Sequence, residues 1–320
     1  MFIESVGRGP TVVFIPGLGC DHTMYAPQVE ALRDRFRCVS LDVPGTGRSP
    51  SLPDLRVDDV LTHQADAIAG ALRGLGVERA HLVGISYGGV LVQTLMLRHG
   101  ALAASAIICD SLCDTRARTV PEWFRLAPAR LQPLALRLAP ARTLAAGIRA
   151  AYGKWPRAGE AMARALLAAR PRDLILQRRA VNAVHYERLL RSCRTPALCL
   201  VGDHSALAVE MMRRTHEALA NSEFDVIADS FDPSSLCRPE EFTRRVGQWV
   251  EARCRRTGDA DGVEPGRGAA GDHDGADPPG AGTAPAPHRP PCSCCLRQRM
   301  PASMKPSISP SNTASGLPTS

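Results

Sequence analysis

Residues 81–89 read His-Leu-Val-Gly-Ile-Ser-Tyr-Gly-Gly, and few stretches restrict what a chain can fold into more narrowly. An apolar run enters a Gly84-x-Ser86-x-Gly88 turn and leaves as Val90-Leu91-Val92-Gln93-Thr94-Leu95-Met96-Leu97, the pattern of a strand running straight into a helix. A serine on so sharp a turn is held in a strained backbone conformation with its hydroxyl pushed out at the sheet's edge. Glycine is needed at 84 and 88 because a Cβ at either position would meet the neighbouring strand or helix where the chain reverses.

The rest of the chain is arranged around that turn. Thr11-Val12-Val13-Phe14-Ile15 predicts a strand ending in the tight loop Pro16-Gly17-Leu18-Gly19. Arg37-Cys38-Val39-Ser40-Leu41 predicts a second strand with a glycine-rich exit over 42–49, and Val29, Leu32 and Phe36 between them are spaced for a helix over 26–36. Another helix is expected over 57–74, with Val60, Leu61, Ala65, Ile68, Ala69 and Leu72 on one face and Gly74 and Gly76 at its end. Residues 102–109 give a further strand closing at Asp110-Ser111. Strands alternating with helices predict an α/β fold with a mostly parallel, doubly wound sheet covered on both faces.

The alternation stops over 114–192, a stretch rich in Ala, Leu, Arg and Pro at helical spacing, which predicts a helical lid cut into short pieces by Pro121, Pro128, Pro133, Pro140, Pro156 and Pro171. Strands are expected again at 196–202 and 224–228. A closing helix over 239–254 carries Phe242, Val246, Trp249 and Val250 on its apolar side. The core thus comprises residues 1–113 and 193–254. From Arg255 to the end the chain is Gly, Pro, Ala, Ser and Asp with few large apolar residues, and is expected to be a disordered tail.

Composition excludes some functions. No apolar run approaches the roughly 18 residues that span a bilayer, so no membrane association is expected. The N-terminus lacks the basic and apolar regions of a secretion signal, which points to a cytoplasmic protein. The formal charge of +7 comes largely from arginines spread along helices, and aromatics make up only 4%, too few for base stacking, so no nucleic-acid partner is expected. The eleven cysteines are mostly scattered through apolar segments and need no disulfide. Cys292, Cys294 and Cys295 near His288 lack a second ligand pair at finger-like spacing, so neither a metal nor a cofactor is expected. Nothing in the chain points to an oligomeric state.

Over about residues 8–254 the chain resembles the α/β-hydrolase superfamily. The resemblance rests on Pro16-Gly17-Leu18-Gly19, Asp42-x-x-Gly45-x-Gly47-x-Ser49, the Gly84-Ile-Ser86-Tyr-Gly88 turn and Pro239-Glu240-Glu241-Phe242. Gly17-Leu18-Gly19-Cys20-Asp21, Val83-Gly84-Ile85-Ser86 and Ile108-Cys109-Asp110-Ser111 look most like the enol-lactonase and non-haem-haloperoxidase-like esterases. The resemblance implies a small-molecule substrate, Ser86 as nucleophile, and the backbone N–H groups of Leu18 and Tyr87 as oxyanion donors. It also implies an acid in the turn Gly202-Asp203-His204-Ser205, where Ser205 stands in the carboxylate's place. The family's histidine falls seven residues before Pro239, where this chain has Asp232, and no histidine occurs between His216 and His273.

A serine without an imidazole needs another group to take its proton. Asp232 is a candidate base if burial raises its pKa, and Asp110 lies where some relatives carry their acid. His22, His185 and His204 are candidates more simply read as surface or packing residues, and the same holds for the arginines of 114–192. Three functions fit: a serine hydrolase of ester-type bonds with an incomplete triad, a lyase, isomerase or epimerase in which Asp232 moves a proton, and a ligand-binding descendant of an enzyme. Fold alone does not choose among them.

Overall fold

Seven strands form one sheet in the order β1-β3-β2-β4-β5-β6-β7 in the computed structural model, which describes residues 1–258. The strands are β1 (Ile3–Val6), β2 (Thr11–Ile15), β3 (Arg37–Leu41), β4 (Ala80–Ile85), β5 (Ala103–Cys109), β6 (Ala197–Gly202) and β7 (Ser222–Ile227). All neighbours run parallel except β1, which pairs antiparallel with β3. The sequence reading did not foresee β1. Its four residues, Ile-Glu-Ser-Val, alternate too briefly to announce an edge strand.

Side chains leave the inner strands in alternation. On β2, Val13 and Ile15 join the core on one face while Val12 and Phe14 join the core on the other. The first face is covered by α2 (Val60–Gly74) and α3 (Tyr87–Arg98), with the expected α2 residues Val60, Leu61, Ala65, Ile68, Ala69 and Leu72 all buried. The second is covered by α1 (Ala26–Leu32) and α11 (Pro239–Gly258), whose Phe242, Val246, Trp249 and Val250 are buried as predicted. Helix α1 is shorter than expected. It ends at Leu32, and the N–H groups of Arg35 and Phe36 both turn back to the Leu32 carbonyl, which still carries Phe36 into the core.

Between β5 and β6 lie α4 (Val120–Leu138), α5 (Ala141–Ala151), α6 (Pro156–Ala168), α7 (Pro171–Asn182) and α8 (Glu187–Leu190), with one bridge pairing Asp114 and His185. Three prolines open helices, as Pro121, Pro156 and Pro171 sit in first turns where the missing N–H costs nothing. Pro128 and Pro133 do not divide the segment as expected, because α4 runs through both. Pro133 leaves the Ala129 carbonyl without its helical donor, and that carbonyl instead accepts from the Arg178 guanidinium at 3.2 Å and from Asn182 Nδ2 at 3.2 Å. Helix α9 (Ala206–Ala218) follows β6, and the short α10 (Ser234–Cys237) precedes α11.

Cys20, Cys38, Cys109, Cys113, Cys193, Cys199 and Cys237 are buried free thiols. No helix there is long and apolar enough to cross a membrane. The expected tail and its Cys292, Cys294, Cys295 and His288 lie outside the described residues.

Candidate active site

Ser86 has φ 54° and ψ −115°, a backbone conformation a non-glycine residue adopts only when its surroundings impose it. The surroundings here are close. A Cβ on Gly84 would lie 2.2 Å from the Gly88 carbonyl oxygen, and one on Gly88 would lie 2.0 Å from that of Ile15. The Ser86 N–H donates to the Cys109 carbonyl at 2.8 Å, and the Ser111 hydroxyl donates to the Ser86 carbonyl at 2.8 Å. The serine's own hydroxyl is left facing the C-terminal edge of the sheet.

Two adjoining cavities open there, of about 260 Å³ and about 200 Å³. Leu18, Ser86, Arg178 and Asp232 line both and therefore form the waist between them. The larger cavity is walled mainly by α4 to α7, through Leu136, Ile148, Met162 and Leu174 among others; the smaller is walled partly by α9, through Leu207 and Met211.

Asp232, on the loop between β7 and α10, meets the serine. The Ser86 side chain lies at the same waist and favours the charged form of its carboxyl. Burial opposes that form and is the larger effect. Together with the negative charge of Asp110 it pushes the Asp232 carboxyl up to about 8, while the Arg178 guanidinium pulls it back down. The Tyr152 hydroxyl holds the Asp232 carbonyl, and Trp155 Nε1 donates to the Asp229 carbonyl at 3.1 Å, so α5 and the turn before α6 fix this loop.

Asp110 plays a different part. Its φ is 45°, and its two carboxyl oxygens accept from the Gly202 N–H at 2.8 Å and the Ser234 N–H at 2.7 Å. Burial raises its pKa, with those two N–H groups working in the opposite sense. Asp110 thus ties the ends of β5 and β6 to the start of α10, directly after Asp232-Pro233. Ser205, standing where the family's acid is expected, accepts the Ala208 N–H at 3.2 Å as the N-cap of α9.

Tyr87 is the first residue of α3, so its N–H has no intrahelical partner. The Leu18 N–H has no backbone partner among the described residues, and its loop runs beside the serine: a Cβ on Gly17 would lie 3.8 Å from Ser86 Cβ. The Tyr87 hydroxyl is turned away into the core, where it bonds Gln64.

No histidine lines either cavity. His22 Nδ1 bonds Asp42 at 2.8 Å, His185 Nδ1 bonds Asp114 at 3.1 Å, and His204 packs edge-on against Trp155 and Phe231. Asp21, His22 and Asp42 bring ligand-type atoms within 4.8 Å of one another, but Asp42 already accepts the N–H groups of His22 and Arg48. The residue that sequence reasoning missed is Arg178. Burial lowers its pKa, the charge of Asp232 works in the opposite sense, and its guanidinium donates to the Ala129 carbonyl. One of many arginines in its segment, it is distinguished only by position.

The chain matches the alpha/beta hydrolase fold family over residues 10–234. It is similar to a pimeloyl-[acyl-carrier protein] methyl ester esterase of Methylococcus capsulatus, with 37% identity over 112 residues, 35% of this chain and 41% of that protein. It is also similar to 3-oxoadipate enol-lactonase 1 of Acinetobacter baylyi, with 34% identity over 109 residues, 34% of this chain and 40% of that protein. These matches therefore span less than half of either relative's length. Among solved structures, a thermophilic esterase from Thermogutta terrifontis superimposes with a TM-score of 0.68 at 24% identity, over 79% of this chain and 93% of that one. The strained serine turn, the parallel sheet that presents it and the family match over most of the chain agree: this protein belongs to the alpha/beta hydrolase fold family.

Proposed function

We propose that the chain is a serine hydrolase acting on ester-type bonds of a small molecule (ester, lactone or thioester), with Asp232 in the role usually given to histidine. The observation that carries this reading is the placement of Ser86 and a buried carboxyl pushed up to about 8 together at the waist between the two cavities. An ordinary aspartate near 4 is too weak a base for a serine hydroxyl, and a desolvated one is a stronger proton acceptor.

In the proposed reaction Asp232 takes the hydroxyl proton as Ser86 Oγ bonds to the carbonyl carbon. The carbonyl oxygen becomes negative and is received by the N–H groups of Leu18 and Tyr87. Collapse breaks the bond to the leaving oxygen or sulfur, which receives the proton from Asp232. Water then repeats the sequence on the acyl-serine, losing a proton to Asp232 and releasing the acid. Arg178 keeps part of the Asp232 population ionised, Asp110 positions the Asp232 loop, and α4 to α8 act as a lid that limits water at the waist.

A fluorophosphonate probe tests the nucleophile. Covalent labelling of the full chain that rises from pH 7 to about pH 9 and disappears in Ser86→Ala supports the reading. Absence of labelling and of ester hydrolysis across that range overturns it and leaves a proton-transfer enzyme or a binding protein. The raised Asp232 also favours a second reading, in which Asp232 moves a proton at a carbon acid. There, deuterium exchange into the substrate survives Ser86→Ala and is abolished by Asp232→Asn.

A further inference from the structure

Helix α4 is amphipathic in two directions, and its outer face has no covering. Val120, Trp123, Phe124, Leu131, Leu134 and Leu138 are each more than half exposed, and they are six of the nine large apolar side chains exposed among the described residues. At the ~100° per residue of an α-helix they fall within an arc of about 100°, a continuous stripe along about 28 Å of helix. The opposite face is occupied. Glu122 and Leu126 are buried, and Leu126, Gln132 and Leu136 line the cavities at Ser86.

Charge along this segment is one-sided. From Val120 to Ala151 the chain has five arginines and one acidic residue, Glu122, which is buried against Arg214. Arg125 and Arg149 are paired with Glu210 and Glu160, whereas Arg130 and Arg137 make no ion pair among the described residues. Both fall along one edge of the apolar stripe, and the Arg130 guanidinium lies 5.9 Å from the Trp123 ring centre. An aromatic and leucine stripe bordered by arginine is the composition of a helix that lies in the plane of a lipid interface.

We infer that the outer face of α4 docks on an anionic lipid surface, with Trp123, Phe124, Leu131, Leu134 and Leu138 entering the acyl boundary and Arg130 and Arg137 at the headgroups. A second copy of the chain is the poorer occupant, because it would bring an equally cationic border against this one. Lying on a membrane needs no spanning helix, so the absence of one is no obstacle. The docking is independent of the chemistry at Ser86, but it would hold the lid helix between a lipid phase and the cavities.

The test uses the full chain and vesicles of phosphatidylcholine, alone or with about one third phosphatidylglycerol. Trp155 and Trp249 are buried, so a change in tryptophan emission on adding vesicles reports Trp123. The expected result is co-sedimentation with the anionic vesicles and a blue shift. Arg130→Gln/Arg137→Gln should weaken partitioning about 30-fold, at ~1 kcal/mol per arginine and ~1.4 kcal/mol per tenfold. Phe124→Gln/Leu134→Gln, which keeps the probe, should weaken it more than tenfold. Phe124, Leu134 and Arg137 are exposed, whereas Arg130 is part-buried and donates to the Thr115 carbonyl at 3.1 Å, so melting temperatures of both variants are measured to separate lost docking from lost folding. Equal binding to neutral vesicles, undiminished binding by either variant, or a dimer in light scattering that the apolar variant dissociates overturns the inference.

Discussion

Replacing Asp232 by asparagine tests the proposed base through stability, with no substrate needed. The carboxyl sits near 8 in the folded chain against an ordinary value of 3.8. Between those limits the unfolded chain gives up the proton and the folded chain keeps it. Each pH unit in that window therefore costs the native state about 1.4 kcal/mol. The sign follows from the raised value: the native state is favoured in acid, and the advantage drains away as pH climbs through about 8. Asparagine is nearly isosteric and cannot ionise, so Asp232→Asn escapes this loss. From about pH 5 to about pH 7 the wild type should lose about 3 kcal/mol relative to the variant. Urea unfolding of both proteins across that range measures the difference, provided their m-values agree. A stability gap that stays constant with pH would refute the reasoning, since it means Asp232 is solvated and titrates as it does in the unfolded chain. The same variant should lose turnover, making this a residue whose chemistry is kept at the expense of stability.

Four further outcomes are expected. Arg178→Met removes the positive charge that favours ionised Asp232, so the midpoint of the pH–rate profile should move about one unit toward alkali; an unmoved midpoint separates Arg178 from the base. Asp232→His puts an imidazole where the family keeps one, and ester turnover near neutral pH should rise at least ~10-fold with its midpoint falling toward ~6.5; no gain means the backbone there cannot aim a ring at Ser86. Gly88→Ala forces a methyl to 2.0 Å from the Ile15 carbonyl oxygen and should cost more than about 4 kcal/mol in urea unfolding. By contrast Gly147→Ala, within α5 and facing open space, should stabilise by up to ~1 kcal/mol.

Much of the scaffold was legible because its signals are local. The serine turn declares itself by two glycines at a fixed spacing, and the buried faces of α2 and α11 follow directly from helical periodicity. Edge strand β1 was not legible, since four residues with two polar side chains make no pattern until β3 lies beside them. Prolines misled in α4 because a lost N–H can be tolerated when, as at Ala129, side chains from another helix take up the orphaned carbonyl. At the site, counting back from Pro239 led to Asp232, but no count shows that burial and Asp110 raise its pKa. Asp110 was read as a group that could orient or accept a proton, but no spacing shows that both its oxygens receive backbone N–H groups that only the assembled sheet brings together. Arg178 was hidden among chemically identical neighbours, and depth cannot be read from one dimension.

A consequence follows from four residues bordering both cavities. A carbonyl held at Ser86 has its two substituents sent into separate chambers, one bounded by α4 to α7 and the other by α9 among its walls. In the proposed reaction the acyl portion and the departing group are thus measured by different helices. Reshaping Leu207 or Met211 would retune acceptance of one arm while the tolerance set by Ile148 and Leu166 stays as it was. Such a scaffold can change one preference at a time.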